Sequence, residues 1–366
     1  MGAVRRSHVA ALAGVAALLL LLLARLPPPA ALPPPPAPLY PRETSTVPPP
    51  PTPAANKTTP APVTSPPVPV KSVPPAPLVV VPPKVTVKNS SAPVLTGDVY
   101  VAGHERPHPE LCPSLGAKLR LLILVTSAPS HSAAREAVRM TWGHFNIRSD
   151  IAFAFVIGIP PDTVRPAIEA EDMLYGDIIV GRFLDSYSNL TLKTLSMLEW
   201  VDTYCPRVQR ILKTDDDMFI NVPKLMEFAK APSRVNATKT IWGKVVKKSL
   251  PKRTSRSKYY VSPLQFPGKV FPDFTTGPAY LLTTDVIRDI LAAAPAEPYL
   301  RLEDVFVTGV LGSKLGIKRQ HATEFYNRKI AHPCAVQRGI AVHMVRFHEQ
   351  FDLWRKLLDG KMKCAS

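Results

Sequence analysis

Twenty-five of the chain's 43 prolines fall between Pro27 and Pro93. Each proline lacks a backbone N–H and fixes φ, so a segment this rich in them builds neither a helix nor a sheet ladder. It also carries too little apolar surface to offset the entropy of ordering. Pro27 to about Gly103 therefore reads as a stiff, partly polyproline stem, and the stem region is bounded at residues 27–110. The remainder, residues 111–366, suits one large α/β domain. Four cysteines are too few for a disulfide-built miniprotein, and no Cys-x-x-Cys pair suggests a zinc ribbon. Aromatic residues at 7% exclude a wholly disordered chain. A polytopic membrane protein is excluded too, because one apolar run alone approaches spanning length.

That run is Val9–Ala24, preceded by Arg5 and Arg6 and closed by Arg25 and Leu26. Taken as residues 9–26, it lies at the short end of the roughly 17–25 residues a spanning helix needs. A cleaved signal peptide is the competing reading. The apolar stretch is long for a signal core, however, and the prolines from Pro27 leave no clean small-residue cleavage site. Arg5 and Arg6 predict that residues 1–8 stay cytoplasmic and that the chain after Arg25 is lumenal, a type II anchor. A short span sorts toward thinner early-secretory bilayers. Glycosylation triplets begin at Asn56, Asn89, Asn189 and Asn236, which fits a lumenal chain, although such triplets are common by chance.

From Lys118 the pattern changes to alternating strands and helices. Continuous apolar runs at Leu119–Ser127 and Ile151–Ile159 predict strands buried on both faces, with shorter strands at Ile178–Val180 and Arg210–Thr214. Helices are expected at Ala133–Trp142, Thr163–Tyr175 and Asn189–Tyr204. This alternation predicts an α/β sheet of mostly parallel strands. No Gly-x-Gly-x-x-Gly or Walker motif follows a strand, so a dinucleotide or P-loop site is not expected. In an oxidising lumen four cysteines favour two bridges, and four allow three pairings. Cys112 lies just before the first strand and Cys205 just after the long helix, while Cys334 and Cys364 bracket the C-terminal segment. The expectation is 112–205 and 334–364, against free buried thiols.

The sharpest local signal is Asp215-Asp216-Asp217, between an apolar strand and Met218-Phe219-Ile220. Three adjacent carboxylates repel one another unless a cation or hydrogen bonds neutralise them. Mn²⁺ or Mg²⁺ held by one or two carboxylates plus substrate phosphates would do so, which points to a nucleotide diphosphate. A solvated acidic turn or a loose calcium site is the plainer reading. Glu303-Asp304 opens a predicted helix, where a carboxylate either caps the helix or deprotonates a substrate hydroxyl. His343 sits in an apolar run, and a lone histidine there is more often a core residue than a ligand. His348, five residues on, is not at a helical ligand spacing.

The segments LLILVTSAPSHSAAREAVRMTWG (121–143), DSYSNLTLKT (185–194), ILKTDDDMFINVPKL (211–225), FPDFTTGPAYLLT (271–283) and EDVFVTGVL (303–311) occur in this order. Together they resemble glycosyltransferase family 31, the β-1,3-galactosyltransferases and β-1,3-N-acetylglucosaminyltransferases. The resemblance spans Cys112 to Cys364. It implies a GT-A fold, a Rossmann-like nucleotide-sugar half joined to an acceptor half, and a type II anchor in the Golgi membrane. It implies inverting transfer from a UDP-sugar to the 3-hydroxyl of a terminal GlcNAc or GalNAc on a glycoprotein or glycolipid. Galactose is the first expectation for the donor sugar and N-acetylglucosamine the alternative. A non-catalytic sugar-binding protein is the lesser reading.

Carried over by residue, the resemblance places Asp215, Asp217 and His343 at Mn²⁺, or Mg²⁺, with Asp215 and Asp216 also on the nucleotide side. It gives Asp304 as catalytic base, with Glu303 as its less favoured neighbour. Arg135, Arg139, Trp142, Asp185, Asn189 and Lys193 match nucleotide-side motifs, although packing explains Trp142 equally well. Where the family often has Tyr-Pro-Pro-Tyr-Cys-Ser-Gly, this chain has Phe271-Pro272-Asp273-Phe274-Thr275-Thr276-Gly277. The lost hydroxyls and thiol bear on sugar specificity. Gly277-Pro278-Ala279-Tyr280 fits a close backbone approach to the sugar, or a turn.

The formal net charge is +17, and Lys244, Lys247, Lys248, Lys252, Arg253, Arg256 and Lys258 form a basic loop. A lumenal chain does not meet nucleic acid, so this loop reads as a solvated face, or as a contact for an acidic glycan or the diphosphate. A homodimer is compatible with the sequence.

Overall fold

The computed structural model describes residues 92–330, 332–359 and 364. The expected anchor at Val9–Ala24, most of the stem, Asn56 and Asn89 lie outside them. Among the described residues no helix is long and apolar enough to cross a membrane.

Eight strands form the central sheet: β1 (His104–Arg106), β2 (Leu121–Thr126), β3 (Ile151–Ile159), β4 (Ile178–Leu184), β5 (Arg210–Asp215), β7 (Thr240–Val246), β8 (Phe274–Thr283) and β9 (Lys318–His321). A small second sheet holds β6 (Phe219–Ile220), β10 (Phe325–Tyr326) and β11 (Ala341–Val342). The spatial order of the large sheet is β1-β4-β3-β2-β5-β8-β7-β9. Strands β4, β3, β2 and β5 run parallel, as the apolar runs predict. The sheet is mixed but mostly parallel: β8 is antiparallel to both β5 and β7, so β7 and its parallel partner β9 share the direction of β5, and the reversed strands are β8 and β1, which is antiparallel to β4. No helix carries the chain from β7 to β8. A long loop does, and it returns β8 in the opposite direction.

Period-two alternation distributes the apolar side chains to two layers. Leu122 and Leu124 of β2 face one side, with Leu195, Leu198 and Trp200 of helix α3 (Leu190–Tyr204) and Ile287 and Ile290 of α5 (Ile287–Ala293). Leu121, Ile123 and Val125 face the other, with Val138 of α1 (Ser132–Arg139), Leu225 of α4 (Val222–Lys230) and Leu353 of α6 (Phe347–Leu358). Helix α2 (Arg165–Tyr175) closes with Gly176 in a left-handed conformation, φ 61°, which glycine adopts without the Cβ penalty. Every residue from Thr191 to Leu198 is buried, so α3 is an internal helix rather than a surface one with a single apolar stripe.

The stem boundary at residue 110 is corrected by the structure. Thr96 donates its N–H, at 2.8 Å, and its hydroxyl, at 2.9 Å, to the Glu297 carbonyl. The Tyr100 hydroxyl donates to Glu199 at 2.6 Å, and β1 pairs with β4. With few prolines after Pro93, this segment has N–H groups free to pair, and it joins the sheet edge. Both expected disulfides are present, with Cα–Cα distances of 5.6 Å for Cys112–Cys205 and 5.4 Å for Cys334–Cys364. Gly116, at φ +81°, turns beneath the first of these. A Cβ there would approach the Cys205 and Cys112 sulfurs to 2.9 and 3.0 Å.

Thr275 of β8 is fully buried, and its Oγ1 has no hydrogen-bond partner. An unpaired buried hydroxyl costs free energy that an isosteric apolar group does not. Thr275→Val is expected to stabilise the protein by about 1 kcal/mol, read as a higher midpoint in reversible denaturation. A lower midpoint would show that the hydroxyl has a partner.

Candidate active site

Strands β2 and β5 end together, with Thr126 opposite Asp215, so the aspartate triplet lies at the carboxyl edge of the parallel strands. Open α/β sheets bind ligands at this edge. The three carboxylates have separate fates. Asp215 Oδ1 accepts from the Thr126 hydroxyl at 2.6 Å and from Lys213 Nζ at 2.5 Å. Asp216 Oδ2 accepts from the Ser127 hydroxyl at 2.7 Å and lies 2.9 Å from His131 Nδ1. Asp217 is half exposed, and its Oδ2 is 3.3 Å from His343 Nε2.

The small sheet creates that last pairing. Phe219 of β6 sits opposite Val342 of β11, and the Val345 N–H donates to the Asp217 carbonyl at 2.8 Å. Met344 turns the chain between them with φ 63°, uncommon for a residue with a side chain. One carboxylate and one imidazole suit Mn²⁺, and a set of two leaves coordination positions for phosphate oxygens. Asp215, expected as a third ligand, spends its Oδ1 on Lys213 and Thr126. Among the described residues no group of three or more histidine, cysteine, aspartate or glutamate side chains is arranged for a metal.

Strand β8 brings in the second half of the site. Its register sets Lys213 opposite Tyr280. Lys213 Nζ donates to the Gly277 carbonyl at 2.7 Å, and the Gly277 N–H donates to Asp304 Oδ2 at 3.1 Å. Asp304 Oδ1 accepts from the Val305 N–H at 2.9 Å and so caps the helix that follows. That helix, Val305–Leu311, is a π-helix, a form that recurs at functional sites. Thr308 pins it to β8: its hydroxyl accepts from the Thr275 N–H at 2.9 Å. Glu303 is buried, its Oε1 accepts from the Tyr280 hydroxyl at 2.6 Å, and its Oε2 lies 3.8 Å from Lys213 Nζ. A Cβ on Gly277 would come within 3.0 Å of Glu303 Oε2, so the backbone must approach closely here.

Burial pushes the Glu303 carboxyl up to about 7, against the lowering effect of Lys213. Burial also raises the Asp304 carboxyl, although the Gly277 and Val305 N–H groups pull it down. Burial works against the Lys213 charge, but Asp215 and Glu303 outweigh it and the ammonium is held above its ordinary range. Lys213, Asp215, Glu303 and Asp304 line one cavity of about 730 Å³ together with Asp217 and His343.

A family model described as galactosyltransferase matches residues 133–323. The chain is 32% identical over 271 residues to a human lactosylceramide 1,3-N-acetyl-β-D-glucosaminyltransferase, covering 71% of each chain. It is 34% identical over 249 residues to mouse β-1,3-galactosyltransferase 1, covering 67% of this chain and 76% of the relative. The chain belongs to the galactosyltransferase family.

Within this family member the residues expected on the nucleotide side divide into two groups. Lys193 lines the cavity; its ammonium donates to Asp185 Oδ1 at 2.9 Å and to the Ser127 carbonyl. Asp185 in turn accepts from the Gly158 N–H at 2.7 Å. Arg135, Arg139 and Trp142, matched to nucleotide-side motifs, are not among the residues lining the cavity and bond within the fold. Arg135 is fully buried, pairs with Glu171, and donates to the Ala128 and Pro129 carbonyls and to Ser127 Oγ. It thereby braces the loop that holds Asp216. Arg139 pairs with Asp177 and Glu171, and the Trp142 indole N–H donates to the Met218 carbonyl and Gln350. Asn189 donates to the Leu184 carbonyl at 2.9 Å, and Thr191 of its glycosylation triplet is buried against the Leu300 carbonyl, whereas Asn236 is exposed.

Lys213 and Tyr280 were not among the sequence candidates. The available signal was a lysine inside an otherwise apolar strand, which demands a buried partner. Because Lys213 lowers the pKa of both Glu303 and Asp304, Lys213→Met raises both. A base must be deprotonated to act, so the acid limb of the kcat/KM profile moves to higher pH. A limb that stays in place or moves lower would detach Lys213 from these carboxyls.

Proposed function

We propose that the chain is an inverting β-1,3-hexosyltransferase that moves galactose from UDP-galactose to the 3-hydroxyl of a terminal GlcNAc or GalNAc on a glycoprotein or glycolipid. One observation carries this reading: a cation-competent pair, Asp217 and His343, and a base-competent carboxylate, Asp304, share a single cavity. N-acetylglucosamine is the alternative donor sugar, and the relative named for that transfer supports it. The mixed, mostly parallel sheet with the carboxyl ends of β2 and β5 at the cavity fits a GT-A arrangement.

Asp217 and His343 would hold the divalent cation, Mn²⁺ or Mg²⁺, at the donor diphosphate. Such a cation, when bound, stabilises negative charge on the leaving UDP. Asp304 takes the proton of the acceptor 3-hydroxyl. That oxygen bonds to the anomeric carbon as the bond to UDP breaks on the opposite face, so an α-linked donor yields a β-linked product. Two backbone N–H groups fix Asp304 without occupying all its lone pairs. Glu303 is held inward by Tyr280 and is less suited to the role. The apolar run at Val9–Ala24 behind Arg5 and Arg6, and the two disulfides, support a type II Golgi protein with this domain in the lumen.

The test offers the chain UDP-galactose and UDP-N-acetylglucosamine with Mn²⁺ and neutral acceptors, with EDTA as control. Asp304→Asn is expected to lower kcat by about 10³-fold while UDP still binds. Asp217→Ala is expected to lose both transfer and metal-dependent UDP binding. Full turnover in Asp304→Asn would remove the base assignment, and a folded chain that does not bind UDP would remove the reading itself.

A further inference from the structure

The outer wall of the cavity differs in charge from its floor. Lys252 and Lys258, from the long loop between β7 and β8, line it with Arg301, Tyr187 and Tyr259. Lys213, deeper in, is paired with Asp215 and Glu303. Among the described residues Lys252, Lys258 and Arg301 form no salt bridge. Arg301 is anchored: its guanidinium donates to the Lys258 carbonyl, tying the basic loop to the segment that leads into Glu303-Asp304. Its Nε is buried without a hydrogen-bond partner. The Lys258 ammonium lies 4.8 Å from the centre of the Tyr259 ring. Tyr187, Lys258, Tyr259 and Arg301 line the same cavity as Asp304, which places the patch beside the base.

The rest of the basic loop is not part of this patch. Arg253 spends its guanidinium on the Val261, Phe266 and Gly268 carbonyls, holding the loop in shape, and Lys247 lies 4.0 Å from Asp273.

Three cations without a carboxylate partner in one wall repel one another unless an anion is present. An arginine fork offers paired N–H groups to an oxyanion, and lysines add point charge. Tyrosine rings give an apolar platform with a polar tip, suited to a sugar ring. We propose that this wall is an acceptor subsite for an oxyanion: the acceptor sugar carries a sulfate or carboxylate held by Lys252, Lys258 and Arg301, and its ring rests against Tyr187 and Tyr259. This rests on the transferase reading, in which the donor diphosphate belongs at Asp217 and His343 and Asp304 faces the acceptor. The chain's net charge of +17 would steer such an acceptor toward the site.

The test measures equilibrium binding of three disaccharides to the full chain with UDP and Mn²⁺. One is a neutral GlcNAc-terminated disaccharide, one is its 6-O-sulfated form, and one carries glucuronic acid. At least one charged form is expected to bind about tenfold more tightly than the neutral one, with a preference that falls as ionic strength rises. Which form wins identifies sulfate or carboxylate as the source. Lys252→Gln and Lys258→Gln, both at side chains on the cavity wall, should each shrink the preference, and Arg301→Gln should abolish it. Equal binding of all three disaccharides would overturn the proposal. So would a preference that survives all three substitutions, or variants that lose UDP affinity instead, which would assign the cations to the donor diphosphate. Absence of UDP binding alongside an intact charge preference would strike the transferase reading and leave the oxyanion site standing.

Discussion

A single buried ammonium holds the two halves of the site in register. Lys213 is 4% exposed in the middle of a central strand, where an unpaired charge would be prohibitive. Its hydrogens go to Asp215, the first of the aspartate triplet, and to the Gly277 carbonyl, and its charge faces Glu303. Strand β5 and the turn after it supply the lysine and the triplet, and the reversed strand β8 supplies Gly277 and Tyr280. Removing any member strands the others, because a broken buried pair leaves an uncompensated charge. The cation end and the base end are therefore positioned by one network.

This network explains what was and was not legible in the sequence. Strands β2 to β5 and the helices between them were readable because buried parallel strands are continuous apolar runs and the intervening helices carry their own period. The triplet was readable because adjacent carboxylates are costly without a reason. Strand β8 was not, since its direction is fixed by pairing with β5 and β7 rather than by local pattern. Glu303-Asp304 was visible as a helix start, but the π-helical form depends on Thr308 bonding to Thr275 across the fold. Residues 95–106 were assigned to the stem by their neighbours' prolines, although their own partners, Glu297, Glu199 and β4, are far away in sequence. Arg135 and Arg139 match a motif, yet a motif does not say which way a guanidinium points. Here both turn toward Glu171, and Arg139 toward Asp177 as well.

Two neighbouring carboxylates with different surroundings can take different roles. Glu303 is enclosed, tied to Tyr280, and close to neutral pH in its own ionisation. Asp304 is partly exposed at the cavity and held by two backbone N–H groups, one from the Gly277 bend and one from its own helix. Backbone donors are fixed by the fold, so they orient a carboxylate without a flexible partner that would have to move during proton transfer. The N–H groups also stabilise the charged form, which keeps the base available while burial raises its proton affinity. Glu303 completes the arrangement from behind: its charge raises the proton affinity of Lys213 and Tyr280, and Lys213 in turn lowers that of Glu303. The chemistry of Asp304 therefore depends on a lysine that it does not touch, transmitted through the Gly277 carbonyl on one side of a peptide unit's residue and the Gly277 N–H on the other.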